Sequence, residues 1–83
     1  MYLDTAKSVV INYIRSKLES VIHEDDLHIV SASKILLNWK VLINTRFFYN
    51  TYYEVTFNAN TNETTIDVYQ RIGYETVLVM HKD

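Results

Sequence analysis

The strongest constraint in this 83-residue sequence is a change of hydrophobic period near its middle. In LDTAKSVVINYIRSKLESVI, the residues Leu3, Ala6, Val10, Tyr13, Ile14, Leu18, Val21 and Ile22 recur at spacings of three and four. That spacing gathers them into one stripe of a helix. Asp4 is placed to cap its first turn, and the short acids of HEDD, at residues 23–26, are poor continuation residues that end it. From Ile35 onward the spacing is two. Ile35, Leu37, Trp39, Val41 and Ile43 alternate with Leu36, Asn38, Lys40, Leu42 and Asn44, as in a strand with one buried face.

Three further segments follow the same rule. Tyr53, Val55 and Phe57 oppose Tyr52, Glu54 and Thr56, and Ile66 and Val68 oppose Asp67, Tyr69 and Arg71, while YETVLVMH is apolar in both phases. The expected fold is therefore α+β: one N-terminal helix packed on a four-stranded antiparallel β-meander. The expected bounds are helix 4–22 and strands 35–44, 51–59, 64–71 and 74–81, in a single domain over residues 1–83. Leu27–Val30 reads equally as a lead-in strand or as a connection.

Parity tests the turns. With Thr61 and Asn62 at the centre of one, Phe57 faces Ile66 and Val55 faces Val68, with Glu54 opposite Tyr69 and Tyr52 opposite Arg71. With Ile72 and Gly73 at the centre of the next, Val68 meets Val77 and Ile66 meets Val79. The two turns give one consistent core face, as a correct register must. The expected core is Trp39, Val41, Val55, Phe57, Ile66, Val68, Val77 and Val79 against Val10, Ile14, Leu18 and Val21.

Composition narrows the function classes. At 48% hydrophobic and 22% charged the chain has enough apolar matter to fold, but a domain this small has a thin stability margin. It has no Cys, so neither a disulfide nor a thiolate zinc site is available. A net charge of −2 without a basic cluster argues against nucleic acid as a partner. No export signal and no bilayer-spanning stretch is visible, which points away from a membrane and to a cytoplasmic setting. The absence of Pro, the single Gly and the abundance of Asn, Ile and Tyr suggest an AT-rich bacterial or phage genome.

The residue types that carry chemistry are scattered. His23 and His28 flank Glu24, Asp25 and Asp26, but at no recognised metal-ligand spacing, and the run reads as a solvated loop. One Gly cannot build a phosphate-binding loop. Glu54 and Asp67 share the open face of the sheet, where an exposed carboxylate is a poor general acid. No enzyme activity, no cofactor and no metal are expected.

The face turned away from the helix carries more information. Tyr52, Glu54, Asp67, Tyr69, Arg71 and Tyr74 fall there, and Leu78 and Met80 are expected beside them on the last strand. Tyrosines of this kind serve equally as cross-strand stabilisers or as the centre of an interface. Leu78 and Met80, together with Leu36 and Leu42 on the first strand, favour the interface, because a monomer would leave them in water.

The stretch from Trp39 to Tyr74 resembles the small cystatin-like and PepSY-like domains: a helix, then YYEVTF, a tight turn, and TTIDVY ahead of Gly73. The resemblance implies binding to proteins or peptides, and for some members protease inhibition. The chain has Asn where PepSY domains often place a turn glycine, and it lacks the cystatin inhibitory wedge, so no inhibitory residue is carried over. The leading expectation is a non-catalytic protein-binding module and homodimer, in its sharper form a bacterial or phage inhibitor acting through the sheet face or edge. The alternative is a small-ligand-binding domain or enzyme subunit with a pocket between helix and sheet, lined by Tyr13, Trp39 and Tyr53.

Overall fold

The computed structural model describes residues 2–18, 21–48 and 50–82. Helix α1 (Tyr2–Leu18) is followed by a 3-10 turn (Glu24–Asp26) and five strands: β1 (Leu27–Ile35), β2 (Asn38–Thr45), β3 (Thr51–Asn58), β4 (Glu63–Ile72) and β5 (Glu75–Lys82). The strands form one antiparallel sheet in chain order, β1-β2-β3-β4-β5. Helix α1 lies over β2 and β3.

The meander thus has five strands rather than four. The segment expected as one strand over 35–44 is broken by a two-residue turn at Leu36 and Leu37, which pairs Ile35 with Asn38. Leu27–Val30, whose reading was open, is the first half of β1. The helix starts at Tyr2, so Asp4 lies within its first turn and is not the N-cap. Asp4 still suits the positive end of the helix dipole there. Glu19 and Ser20, inside the expected helix, lie outside the described residues.

At the start of β1, the His23 N–H donates to Asp26 Oδ2 at 3.0 Å, and the Asp26 N–H donates to the His23 carbonyl at 2.9 Å. Arg46 Nη2 donates to Asp26 Oδ1 at 2.8 Å, which ties this corner to the β2–β3 connection. The His23 amide hydrogen bond, and then Arg46, hold the Asp26 carboxyl below the usual carboxylate range. Glu24 faces Lys7 of α1 at 3.6 Å.

The core face follows the parity argument, but the registers differ. Phe57 pairs with Thr64, Val55 with Ile66 and Tyr53 with Val68. That is a slip of two residues from expectation, which leaves every side chain on its expected face. The loop spans residues 59–62 rather than a two-residue turn. Asn58 Oδ1 accepts the Asn60 N–H at 3.0 Å and so tightens it, and Asn62 takes φ +56°.

The β4–β5 register changes more. Gly73, at φ +63°, and Tyr74 form the turn, and Ile72 pairs with Glu75. Near the turn Tyr69 pairs with Leu78 and Gln70 with Val77, but beyond an irregularity Val68 pairs with Met80 and Ile66 with Lys82. Val79 is the inserted residue of a β-bulge. Val77 and Val79, expected in the core, are 39% and 52% exposed, and Met80 takes the core-facing place.

Ala6, Val10 and Ile14 of the helix meet Trp39, Val41, Ile43, Tyr53, Val55, Ile66 and Val68 of the sheet, with Ile22 and Leu27 closing one end. Leu18 and Val21, expected in this core, are exposed. Phe57 is only partly buried and stacks on Trp39 at 5.7 Å between ring centres, with Tyr2 at 5.7 Å from Trp39. Tyr13 and Tyr53 pack at 6.0 Å. These ring contacts pack the part of the helix–sheet interface around Trp39 and Tyr53.

Candidate functional site

Antiparallel pairing puts directly opposed residues on the same face. Tyr52 pairs with Tyr69 and Glu54 with Asp67, and Arg71 pairs with Thr76 and Tyr69 with Leu78. Tyr52, Glu54, Asp67, Tyr69, Arg71 and Leu78 therefore share the outward face, as read from the sequence. The opposition of Glu54 to Tyr69 becomes a diagonal contact, in which the Tyr69 hydroxyl donates to Glu54 Oε1 at 3.4 Å. Tyr74 stands at the β4–β5 turn and is fully exposed. Met80 does not belong to this group. The Val79 bulge turns it to the helix side, where the Tyr13 hydroxyl donates to its sulfur at 3.2 Å.

The outward face is concave. Leu42, Tyr52, Glu54, Tyr69, Arg71, Tyr74 and Thr76 line an open depression of about 410 Å³. Three tyrosines supply rigid amphipathic walls, and Leu42 gives it an apolar floor. Leu42 and Thr76 complete the set. Leu42 was legible as an outward apolar residue, whereas Thr76 requires the true β4–β5 register.

The charges on this face are mostly spoken for. Glu54 lies 3.9 Å from Lys40 Nζ, and Asp67 is paired with His81 across β4 and β5. Burial, together with the negative charges of Glu54 and Asp67, raises the Tyr69 hydroxyl above the ordinary tyrosine value, so it stays a proton donor. Arg71 differs. Its guanidinium makes no ion pair among the described residues, while its backbone N–H donates to the Asn50 carbonyl at 2.7 Å and fixes the strand beneath it. A fixed strand with an unpaired guanidinium beside aromatic walls is suited to receive a carboxylate.

His23 and His28 fall on different elements, the first before the 3-10 turn and the second on β1 opposite Asn44. Asp26 and Glu24 between them are engaged by Arg46 and Lys7. Among the described residues no group of three or more His, Asp or Glu converges on a point that would hold a metal ion. No helix among them is long and apolar enough to cross a membrane.

No curated protein and no solved structure matches this chain. One family does: residues 3–78, nearly the whole length, match the family described as "Family of unknown function (DUF6275)", and the chain belongs to that family.

Proposed function

We propose that this chain is a non-catalytic protein-binding module, and that its outward concavity receives an acidic, partly apolar segment of another protein. The observation that carries this reading is the composition of the depression: Tyr52, Tyr69 and Tyr74 around an Arg71 whose guanidinium has no ion pair among the described residues. Tyr and Arg are the residue types that dominate the centres of protein interfaces, where a rigid ring is buried at small entropic cost and a guanidinium gains a partner. The carboxylates here are poor candidates for acid–base work, because they are already engaged, Glu54 by Lys40 and Asp67 by His81. In the sharper form of the proposal, the module is a cytoplasmic bacterial or phage inhibitor that blocks its target by contact, and it acts as a homodimer. The resemblance that residues 39–74 bear in sequence to cystatin-like and PepSY-like domains would imply the same kind of role.

A ligand site between helix and sheet is the second reading. It finds less support, because Tyr13, Trp39 and Tyr53 are engaged in ring contacts. A smaller groove of about 250 Å³ opens between α1 and the β4–β5 side of the sheet, lined by Val9, Asn12, Tyr13, Ser16, Thr64, Ile66 and Lys82.

The test is affinity capture from bacterial lysate with three baits: the parent, Arg71→Glu, and Lys17→Glu on the helix as a control of equal charge change. A protein held by the parent and by Lys17→Glu but released by Arg71→Glu is expected. A partner retained equally by all three baits contradicts the assignment of the site.

A further inference from the structure

The sheet has two free edges, β1 and β5, and we infer that β5 is the seam of a two-fold dimer, paired antiparallel with β5 of a second copy of this chain about a centre between Leu78 and Val79. This deepens the self-association proposed above and rests on it for the existence of a second copy.

The register follows from the bulge. Val77, Met80 and Lys82 oppose the helix-side residues Gln70, Val68 and Ile66, and Glu75 opposes Ile72 in the same phase. Thr76, Leu78 and His81 oppose the outward residues Arg71, Tyr69 and Asp67. Val79 is unpaired between Leu78 and Met80, and we place it, 52% exposed, with Leu78 on the outward face as the second residue of the bulge. From Glu75 to Lys82 the faces therefore read in, out, in, out and then, after the insertion, out, in, out, in. That order is its own mirror image. An unbulged strand of eight residues lacks this property, because its two ends point to opposite faces.

A two-fold axis normal to the sheet must bring like faces together. Set between Leu78 and Val79, it does so at every position and matches the chemistry as well. Glu75 meets Lys82 of the other copy, twice, at the two ends of the seam. Val77 meets Met80, and Leu78 meets Val79, twice in the middle. The three residues Val77, Leu78 and Val79 are 39%, 49% and 52% exposed in the single chain. A run of apolar residues on an unpaired edge is an open template for another strand.

The other edge shows what a blunted one looks like. Strand β1 also carries a bulge, with Val30 inserted between Ile29 and Ser31, so its faces are symmetric too. A two-fold pairing of β1 with itself would oppose Leu27 to Lys34 and Val30 to Ser31, with no opposite charges to join. Ahead of its exposed last residue, Ile35, its outer half reads Ser31-Ala32-Ser33-Lys34, small, polar or basic, a composition that discourages strand addition. The chemistry selects β5.

In such a dimer the outward faces of the two copies lie on the same side of a ten-stranded sheet. The two tyrosine depressions then face one direction, related diagonally across the seam, and present two sites to one partner assembly.

Charge reversal tests the register. Glu75 and Lys82 are both exposed, so Glu75→Lys and Lys82→Glu leave the fold intact, which circular dichroism checks. Each variant alone opposes like charges at both ends of the seam, and sedimentation equilibrium of the full chain should show dimerisation weakened by about tenfold or more. The double variant E75K/K82E restores both pairs and should dimerise like the parent. An equimolar mixture of the two single variants should form a dimer with one copy of each, because that combination alone opposes opposite charges at both ends. Dimerisation unaffected by either single variant, or variants that do not recover on mixing, overturns the β5 register while leaving self-association standing. A parent that grows beyond a dimer with concentration overturns it in favour of head-to-tail pairing of β5 with β1. A monomeric parent removes self-association itself, with the Arg71 site untouched.

Discussion

Leu36 and Gly73 occupy the same place, the first residue of a two-residue turn, at φ +56° and +63° respectively. Glycine is at ease there, whereas the Cβ of leucine presses on the following carbonyl oxygen. Space is not the issue, since a Cβ built on Gly73 meets nothing within 4 Å. Leu36→Gly should therefore stabilise the chain by about 0.5–1 kcal/mol in equilibrium denaturation, and Gly73→Leu should destabilise it by about 1 kcal/mol. Tyr53 makes a second residue-scale prediction. Burial, and then the neighbouring Tyr13, push its hydroxyl up to about 12 from 10. Between those values the folded chain holds a proton that the unfolded chain has lost. The stabilisation is fully present below pH 10 and disappears as pH rises through about 12. Relative to Tyr53→Phe, the parent should lose about 2–3 kcal/mol of stability over that interval. Parallel losses in the two proteins would mean that Tyr53 is not desolvated as described.

At the scale of the element, one device explains why both edge strands misread. Each edge strand contains a bulge, and a bulge moves the apolar phase from odd to even positions partway along the strand. In β1 the helix-side residues run Leu27 and Ile29, then Ala32 and Lys34, so no period of two survives over its length. In β5 they run Val77, then Met80 and Lys82, which is why YETVLVMH reads as apolar in both phases. The interior strands β2, β3 and β4 have no insertion between them, and there the faces were legible residue by residue. The tight turn at Leu36 and Leu37 was hidden for a different reason: reversing a chain through two residues preserves alternation, and leucine is no turn signal. The outward set Tyr52, Glu54, Asp67, Tyr69 and Arg71 was legible because it rides on the interior strands. Met80 was misplaced because it lies beyond a bulge. Truncations distinguish the two registers. Met80→Ala should cost about 1–2 kcal/mol, since it removes a partly buried side chain that accepts the Tyr13 hydroxyl. Val79→Thr, on a half-exposed insertion, should stay within about 0.5 kcal/mol when both variants are compared at a concentration where the chain is monomeric. The reverse order of effects, followed by thermal or urea denaturation, would restore Val79 to the core.

At the scale of the whole molecule, one helix cannot cover five strands. Helix α1 lies over β2 and β3, and large apolar residues stay exposed at the β1–β2 turn (Ile35, Leu36, Leu37), at Val21 and Phe47, and along the β4–β5 hairpin (Ile72, Tyr74, Val77, Leu78, Val79). A small chain without cysteine gains stability from burying such surface against another chain. The central claim is that the β5 edge of this surface is a contact between copies of the chain. The most direct measurement is the mass in solution of the parent and of Leu78→Glu at matched concentration, by analytical centrifugation or light scattering. Leu78 faces outward beside the β5 edge, so a glutamate there is harmless in a monomer but must be desolvated in a contact. The account predicts a dimeric parent and a folded, monomeric Leu78→Glu. A parent that stays monomeric from about 1 to 100 μM, the range in which a modest interface of this kind assembles, would contradict it.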